Sequence, residues 1–452
     1  MEFPVGFLSS IAQSSGFEPE TFTQEHSQPA PVSVRLNPLK PTQLFVNQPT
    51  VPWCEYGIYL NDRPVFTLDP YFQGGAYYVQ EASSMFLAEA FRQTVDLSEQ
   101  VKVLDLCAAP GGKSTLIAGM ISEDSLLVSN EVIKNRAHIL ADNMVRWGLL
   151  NGFVTNNDPR DFQRLPGYFD VMVIDAPCSG SGLFRKDPTA MKEWSLDNVV
   201  LCSQRQHRII ADAWDALKED GILIYSTCSY SEQENEEVLD WLLNTFQAES
   251  LPLKLDSTWG ITETISKQHK AFGYRFYPNL LKGEGFFLAV FQKKEGQQYP
   301  LRPFKPQRTK GFHTEKAILS EWLTDLSELT WTEVNGDYFL LPSGLLDDFL
   351  LFQKKVYFRK AGVRIGQFKG KDLIPDHELA LSTLLSDEIP QLKLNKEDAL
   401  LYLKKQDFAI ETYQKGWHLI TYEGLGLGWG KILPNRFNSH LPKDWRILME
   451  ID

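Results

Sequence analysis

Two cysteines stand where a sulfur could do chemistry. Cys178 lies within Asp175-Ala176-Pro177-Cys178-Ser179-Gly180-Ser181-Gly182, and Cys228 within Ser226-Thr227-Cys228-Ser229. Each follows a short apolar run and is flanked by turn-formers or hydroxyls, so each is expected at the end of a strand, presented to a cleft. In a parallel sheet that edge is the ligand-binding rim, where the two sulfurs and the Asp175 carboxylate should converge. Cys54 and Cys202 read instead as small buried hydrophobes. The five cysteines form an odd set without a CxxC pair, and no histidine completes a zinc spacing. A disulfide framework and a structural zinc site are therefore set aside, and no metal is expected.

A second chemical feature is the loop Asp105-Leu106-Cys107-Ala108-Ala109-Pro110-Gly111-Gly112-Lys113-Ser114 between a strand and a helix. Small residues let a backbone approach a ligand closely, and the helix start adds free N–H groups, so a nucleotide-like cofactor is implied. The GGKS tail invites a phosphate-binding P-loop, but that motif needs glycine where Cys107 stands. A dinucleotide is disfavoured because the GxGxxG spacing is missing. Glu131 closes the second strand and Asp158 follows the third. A carboxylate after the second strand suits a ribose diol, although either acid alone also fits a helix cap or turn.

The elements that must position these groups run from Val101 to about Val290. Strands are expected at 101–106, 125–130, 152–156, 169–175, 221–227 and 285–291, with amphipathic helices over 133–147, 197–217 and 232–243. This is the βαβ alternation of a parallel sheet. The fold class is therefore α/β, with a core over 96–294. An irregular N-terminal domain over 1–95 precedes it. A Gln-, Pro- and Lys-rich linker is expected at 295–314, then an α+β region over 315–452 ending in the glycine-rich EGLGLGWGKILPNRF.

The bulk composition is that of a folded protein, with 43% hydrophobic and 23% charged residues. No apolar run approaches the roughly eighteen residues of a membrane span, and the N-terminus has neither a basic leader nor a long apolar block. A cytoplasmic location is expected. A net charge of -13 argues against general nucleic-acid binding, since phosphate contacts supply most non-specific affinity. Two acid-free basic runs soften this: Lys354, Lys355, Arg359, Lys360, Arg364, Lys369 and Lys371, and Arg302, Lys305, Arg308 and Lys310.

The segments LDLCAAPGGKS, SNEVIKNR, NNDPRDF, DAPCSGSGLFRKDP, YSTCSYSEQENEEVL and KGEGFFLAVF, in this order, resemble the Sun-family RNA cytosine-5 methyltransferases. Arg35-Leu36-Asn37 resembles the family's R-x-N substrate-arm element, and GLGLGWGKILPNRF resembles the PUA-like RNA-binding end of bacterial members that modify small-subunit ribosomal RNA. The resemblance implies a Rossmann-like core. It implies that Cys107, Ala108, Ala109, Pro110, Gly111, Gly112, Lys113, Glu131, Asp158 and Asp175 line an S-adenosylmethionine site, that Cys228 is the nucleophile, and that Cys178 assists release. RNA, as ribosomal RNA or a small-subunit assembly intermediate, is the implied partner of a monomeric enzyme.

The chemistry agrees with that assignment. Carbon 5 of cytosine becomes nucleophilic once a thiolate adds to carbon 6. A polar group must hold the ring as charge shifts, a role that fits Asp175 with Lys113 nearby. The target base must be unstacked to be reached, and Phe184 and Tyr230 could stack on it, although packing is the role expected more often for either. Gln206-His207-Arg208 reads as an exposed helix face. Two other functions stay open: a transfer RNA cytosine-5 methyltransferase, and a non-catalytic RNA-binding assembly factor.

Overall fold

The computed structural model describes residues 2–296, 299, 313–334, 336–370, 372–410, 414–434 and 436–450. Most of the expected linker, the basic run Arg302, Lys305, Arg308 and Lys310, and Lys371 lie outside these residues.

The centre is a ten-stranded sheet built from β1 (Lys102–Asp105), β2 (Leu126–Asn130), β3 (Gly152–Thr155), β4 (Phe169–Asp175), β5 (Leu217–Thr227), β6 (Ala248–Ser250), β7 (Thr262–Ile265), β8 (Phe272–Phe276), β9 (Phe286–Lys293) and β10 (Phe358–Ala361). Its order is β7-β8-β9-β5-β4-β1-β2-β3-β10, with β6 paired to β9. The strands β5, β4, β1, β2 and β3 run parallel. β9, expected from sequence to continue the parallel alternation, lies antiparallel to β5. Its chain arrives by way of the hairpin strands β7 and β8 rather than through a crossover helix.

Alternation along the strands sends side chains to two layers. Val103, Leu127, Val154, Val171 and Ile224 pack with helices α1 (Gly112–Ala118) and α2 (Lys134–Trp147) on one face. Leu104, Val128, Phe153, Met172 and Leu223 pack on the other with α3 (Leu196–Ala213) and α4 (Glu236–Thr245). α3 starts where Ser195 Oγ accepts from the Asn198 N–H at 3.1 Å, and it buries Val199, Cys202, Gln206, Ile209, Ile210 and Ala213 at helical spacing. α2 stops at Gly148, whose φ of 84° is the left-handed conformation of a helix C-cap.

The N-terminal region forms an antiparallel sheet of Gly57–Leu60, Val32–Leu36 and Tyr77–Val79. Two four-stranded sheets occupy the C-terminal region; the glycine-rich segment supplies Leu425–Leu433 and Arg436–Ser439 of the second. β10 is contributed by this C-terminal half yet pairs with β3, so the core sheet is completed from some 200 residues downstream. The helix before it, Leu346–Lys355, buries Phe349, Leu351 and Phe352 in the core.

The basic run around β10 is not a continuous charged face. Lys360 is buried and bonds Glu378 at 2.6 Å, and Arg364 pairs with Asp376 at 2.7 Å. No helix among the described residues is long and apolar enough to cross a membrane.

Candidate active site

β1, β4 and β5 end side by side, and the turns after them build the site. The first turn carries the small-residue loop. Gly111, at φ 115°, starts α1 in a conformation that strains any other residue, and a side chain there would meet Leu140 Cδ1 at 3.3 Å. The loop borders a cavity of about 400 Å³ lined by Cys107, Ala108, Ala109, Pro110, Gly112, Lys113, Asp175 and Cys228. Tyr78, Val79 and Gln80 wall it from the N-terminal sheet, and Glu284, Gly285 and Phe286 from the turn into β9.

Asp175 is the junction of the cavity. Its Oδ2 is 2.9 Å from Lys113 Nζ and its Oδ1 accepts from Ser226 Oγ at 2.8 Å, so the ends of β1, β4 and β5 are tied through one carboxylate. Lys113 is itself packed 5.0 Å over the Phe286 ring.

The turns after β4 and β5 bring the sulfurs of Cys178 and Cys228 to 3.0 Å, with both cysteines free. Contact with Cys228, then burial, pushes the Cys178 thiol well above its ordinary range. Either sulfur can be the donor in this contact.

Sequence reasoning missed the group beneath this pair. Glu234 is fully buried. Its Oε1 accepts from the Ser179 N–H at 2.7 Å, and its Oε2 accepts from Ser179 Oγ at 2.6 Å and Ser229 Oγ at 2.5 Å. Gln206 Nε2 lies 3.4 Å from Oε1 and donates to the Pro177 carbonyl at 3.0 Å. The signal was available only as a polar SEQENE stretch directly after Cys228.

The remaining expected residues are more dispersed. Glu131 is buried beside the cavity, its Oε1 accepting from the Ile133 N–H at 2.8 Å and its Oε2 3.3 Å from Arg136, a residue of the cavity wall. Asp158 is not brought to the cavity: it caps the short helix Pro159–Arg164 and lies 3.4 Å from Arg160 and 3.6 Å from Arg208. Phe184 and Tyr230 do not face the rim. Both are buried with Phe7, Phe22, Trp194 and Tyr277, because two short N-terminal helices, Phe7–Ser10 and Pro19–Glu25, cover them. Packing, the role expected more often for these two rings, is the one they take. Of the expected exposed helix face only Arg208 is exposed: His207 is half-buried against Trp241, its ring 4.1 Å away, and Gln206 is buried. Arg35 is not a free arm: it is buried and donates to Gln80 Oε1 at 2.8 Å and Thr115 Oγ1 at 2.6 Å, inside α1.

Three carboxylates cluster at the loop. Burial raises the Asp105 carboxyl to about 7; a hydrogen bond from Ser114 opposes this, while the charges of Asp175 and Glu131 add to it. Asp105 Oδ1 is buried without a partner. A cationic, nucleoside-bearing cofactor fits such a site, because its charge relieves the repulsion. Among the described residues, no group of three or more His, Cys, Asp or Glu could hold a metal ion.

Sheet, loop and cavity together define a Rossmann-like methyltransferase. Comparisons with known proteins carry this further. The model of the 16S rRNA methyltransferase RsmB/F family matches residues 92–292, that of the RsmF N-terminal domain residues 3–82, and that of the RsmF PUA domain residues 390–447. Ribosomal RNA small subunit methyltransferase F of Shewanella woodyi is 30% identical, covering 97% of this chain and 95% of that one. The same-named protein of Shewanella oneidensis is 32% identical, over 97% and 96%. Among solved structures, a methyltransferase homolog protein from Pyrococcus horikoshii is 30% identical with a TM-score of 0.54, covering 64% of this chain and 94% of that one. NSun6 from Pyrococcus horikoshii, 18% identical with a TM-score of 0.53 over 65% and 99%, shares the fold. The chain belongs to the RsmB/F family of 16S rRNA methyltransferases.

Proposed function

We propose that this protein methylates carbon 5 of a cytosine in small-subunit ribosomal RNA, in the cytoplasm, with Cys228 as the nucleophile. The observation that carries this reading is the 3.0 Å approach of Cys178 and Cys228 beside the cavity of the cofactor loop. S-adenosylmethionine, held by Cys107 through Lys113, Asp175 and the neighbouring Glu131, supplies an electrophilic methyl group on a sulfonium. Asp158, a helix cap away from the cavity, is left out of this set.

The chain's own residues do the rest. Cys228, as thiolate, forms a bond to carbon 6 of an unstacked cytosine, and the ring's double-bond electrons move to carbon 5, which would then form a bond to the methyl group as the methyl–sulfonium bond breaks and leaves a neutral thioether. Asp175, braced by Lys113 and Ser226, is placed to accept a hydrogen bond from the exocyclic amine and hold the ring as charge shifts. Cys178 acts afterwards. The largest cause of its raised pKa is the contact with Cys228, and that cause disappears when the Cys228 sulfur becomes a thioether. Cys178 then ionises more readily and takes the carbon 5 proton; the carbon 6–sulfur bond breaks, the ring double bond reforms, and Cys228 leaves as thiolate.

One copy of the chain supplies the loop, both cysteines and Asp175, which supports a monomeric enzyme. The near full-length similarity to proteins named for the small ribosomal subunit supports ribosomal over transfer RNA, and retention of both sulfurs at one cavity supports an enzyme over a passive assembly factor. Bisulfite mapping of ribosomal RNA from cells with and without the protein tests this: a cytosine in small-subunit RNA is expected to lose its protection when the gene is removed. Unchanged protection throughout that RNA would refute the assignment.

A further inference from the structure

The two sulfurs are borne by turns fifty residues apart in sequence, and the turns meet through the Gly182 N–H, which donates to the Cys228 carbonyl at 2.8 Å, and through Ser181 Oγ, which accepts from the Tyr230 N–H at 3.0 Å. Beneath the sulfurs one charged side chain joins them as well. Ser179 follows Cys178, Ser229 follows Cys228, and Glu234 accepts from both serine hydroxyls as well as from the Ser179 N–H. Gln206, reaching in from α3, ties the same carboxylate to the Pro177 carbonyl. The flanking residues reinforce one side: Asn235 Nδ2 donates to the Ser229 carbonyl at 2.8 Å, its Oδ1 accepts from Thr227 Oγ1 at 2.6 Å, and Arg275, bonded to Glu236 at 2.6 Å, donates to the Tyr230 carbonyl at 2.7 Å. Glu234 is the carboxylate that bonds both turns.

We infer that Glu234 is the positioning residue of the cysteine pair: its carboxylate fixes the Cys178 turn against the Cys228 turn, so that the sulfur of the release step lies within reach of the adduct formed by its neighbour. This deepens the proposed mechanism and rests on its assignment of roles to the two cysteines. A buried carboxylate with three donors is a costly structural peg unless its geometry is needed, because an apolar side chain would hold two turns without burying a charge. The donors also explain why it is tolerated, since burial raises the Glu234 carboxyl and the two serines oppose that shift. Its negative charge also helps to raise the Cys178 thiol. Asp175, Cys202 and the Tyr225 hydroxyl, which donates to the Glu234 carbonyl at 2.7 Å, complete the titratable groups around it.

The consequence differs from that of a general weakening of the fold. Glu234→Gln keeps the shape and one acceptor oxygen but turns an NH2 group toward the remaining donors. Addition by Cys228 should survive, while release through Cys178 should slow by about ten- to a hundredfold, the range that corresponds to loss of a charge-assisted hydrogen bond. The test has two arms. In the first, without RNA, the full-length protein is treated with diamide, which takes two electrons and two protons from the thiols and becomes the hydrazine. The Cys178–Cys228 disulfide is then followed by peptide mass spectrometry, and its rate should fall at least about tenfold in the variant. In the second, with substrate RNA, methyl turnover should fall while the fraction of protein running as a covalent RNA adduct on a denaturing gel rises, and KM for S-adenosylmethionine stays within about twofold.

A merely structural residue would lower turnover and adduct together. Wild-type rates in both arms would overturn the inference. If wild-type and Cys178→Ala proteins form no adduct but the disulfide arm still responds to Glu234→Gln, the positioning role stands and the roles given to the cysteines fall. Should Glu234→Gln fail to fold, Ser179→Ala and Ser229→Ala each remove one of the bonds and should each show the same pair of effects at smaller size; wild-type values in both would equally overturn it.

Discussion

Replacing Arg35 with methionine separates two accounts of the N-terminal region. If the R-x-N element is an RNA-contacting arm, Arg35 neutralises a phosphate; in the structure it fastens the N-terminal sheet to the cofactor loop. Its guanidinium donates to Gln80 Oε1, Thr115 Oγ1 and the carbonyls of Gly112 and Thr115, and it lies 4.6 Å over the Trp147 ring. Burial lowers its pKa to about 10, which still leaves it cationic at neutral pH. Methionine fills the same length but donates nothing, leaving Gln80 Oε1 and two carbonyls without this donor. Each unsatisfied group costs about 1–3 kcal/mol, and relief from burying an unpaired cation offsets part of that, for a net loss of about 2–4 kcal/mol. Because Gly112 and Thr115 form the first turn of α1, affinity for S-adenosylmethionine should also fall, by roughly tenfold. Thermal unfolding and calorimetric titration measure both effects. The salt dependence of RNA binding is the control: loss of a phosphate contact lowers the slope by about 0.7–0.9, and no change is expected here. Wild-type stability and cofactor affinity with a reduced salt slope would refute the reasoning.

Proton linkage should be visible at the cofactor site. Asp105 has its pKa raised by burial to about 7 from 3.8, so the stability that its protonated form contributes is complete below about 4 and is lost as pH rises through about 7. Binding a cation favours the ionised form, so affinity for S-adenosylmethionine should strengthen between about pH 6 and 8, with proton release near pH 7 that Asp105→Asn removes; equal binding enthalpies in phosphate and Tris buffers would contradict this. Phe184→Ala should destabilise by about 3–5 kcal/mol, as a large core deletion does, while the folded fraction keeps its KM for RNA. A raised KM without loss of stability would return Phe184 to the base-binding rim.

The core was legible because its elements are long and regular. The runs 169–175 and 133–147 carry their period within themselves, and the structure places a strand and a helix there. β10 was not: Phe-Arg-Lys-Ala has neither alternation nor length, and only its pairing with β3, of Phe358 with Thr155, makes it a strand. The site divides in the same way. Cys178, Cys228, Asp175 and the loop could be placed together because each ends or follows a core strand. Glu234 could not, since its bond to Ser179 spans fifty-five residues and leaves no local pattern. Packing could be favoured for Phe184 and Tyr230 but its partners could not be named, because burial there comes from Phe7 and Phe22, residues far upstream whose destination only tertiary packing reveals.

The claim that Cys228 attacks and Cys178 releases is tested most directly by trapping. Cys178→Ala, Cys228→Ala and wild-type protein are incubated with small-subunit RNA and S-adenosylmethionine, resolved under denaturing conditions, and the linked peptide is sequenced by mass spectrometry. The geometry predicts a stable adduct for Cys178→Ala, joined through Cys228, and neither adduct nor methylation for Cys228→Ala. An RNA linkage through Cys178, or full methylation by Cys228→Ala, would contradict it.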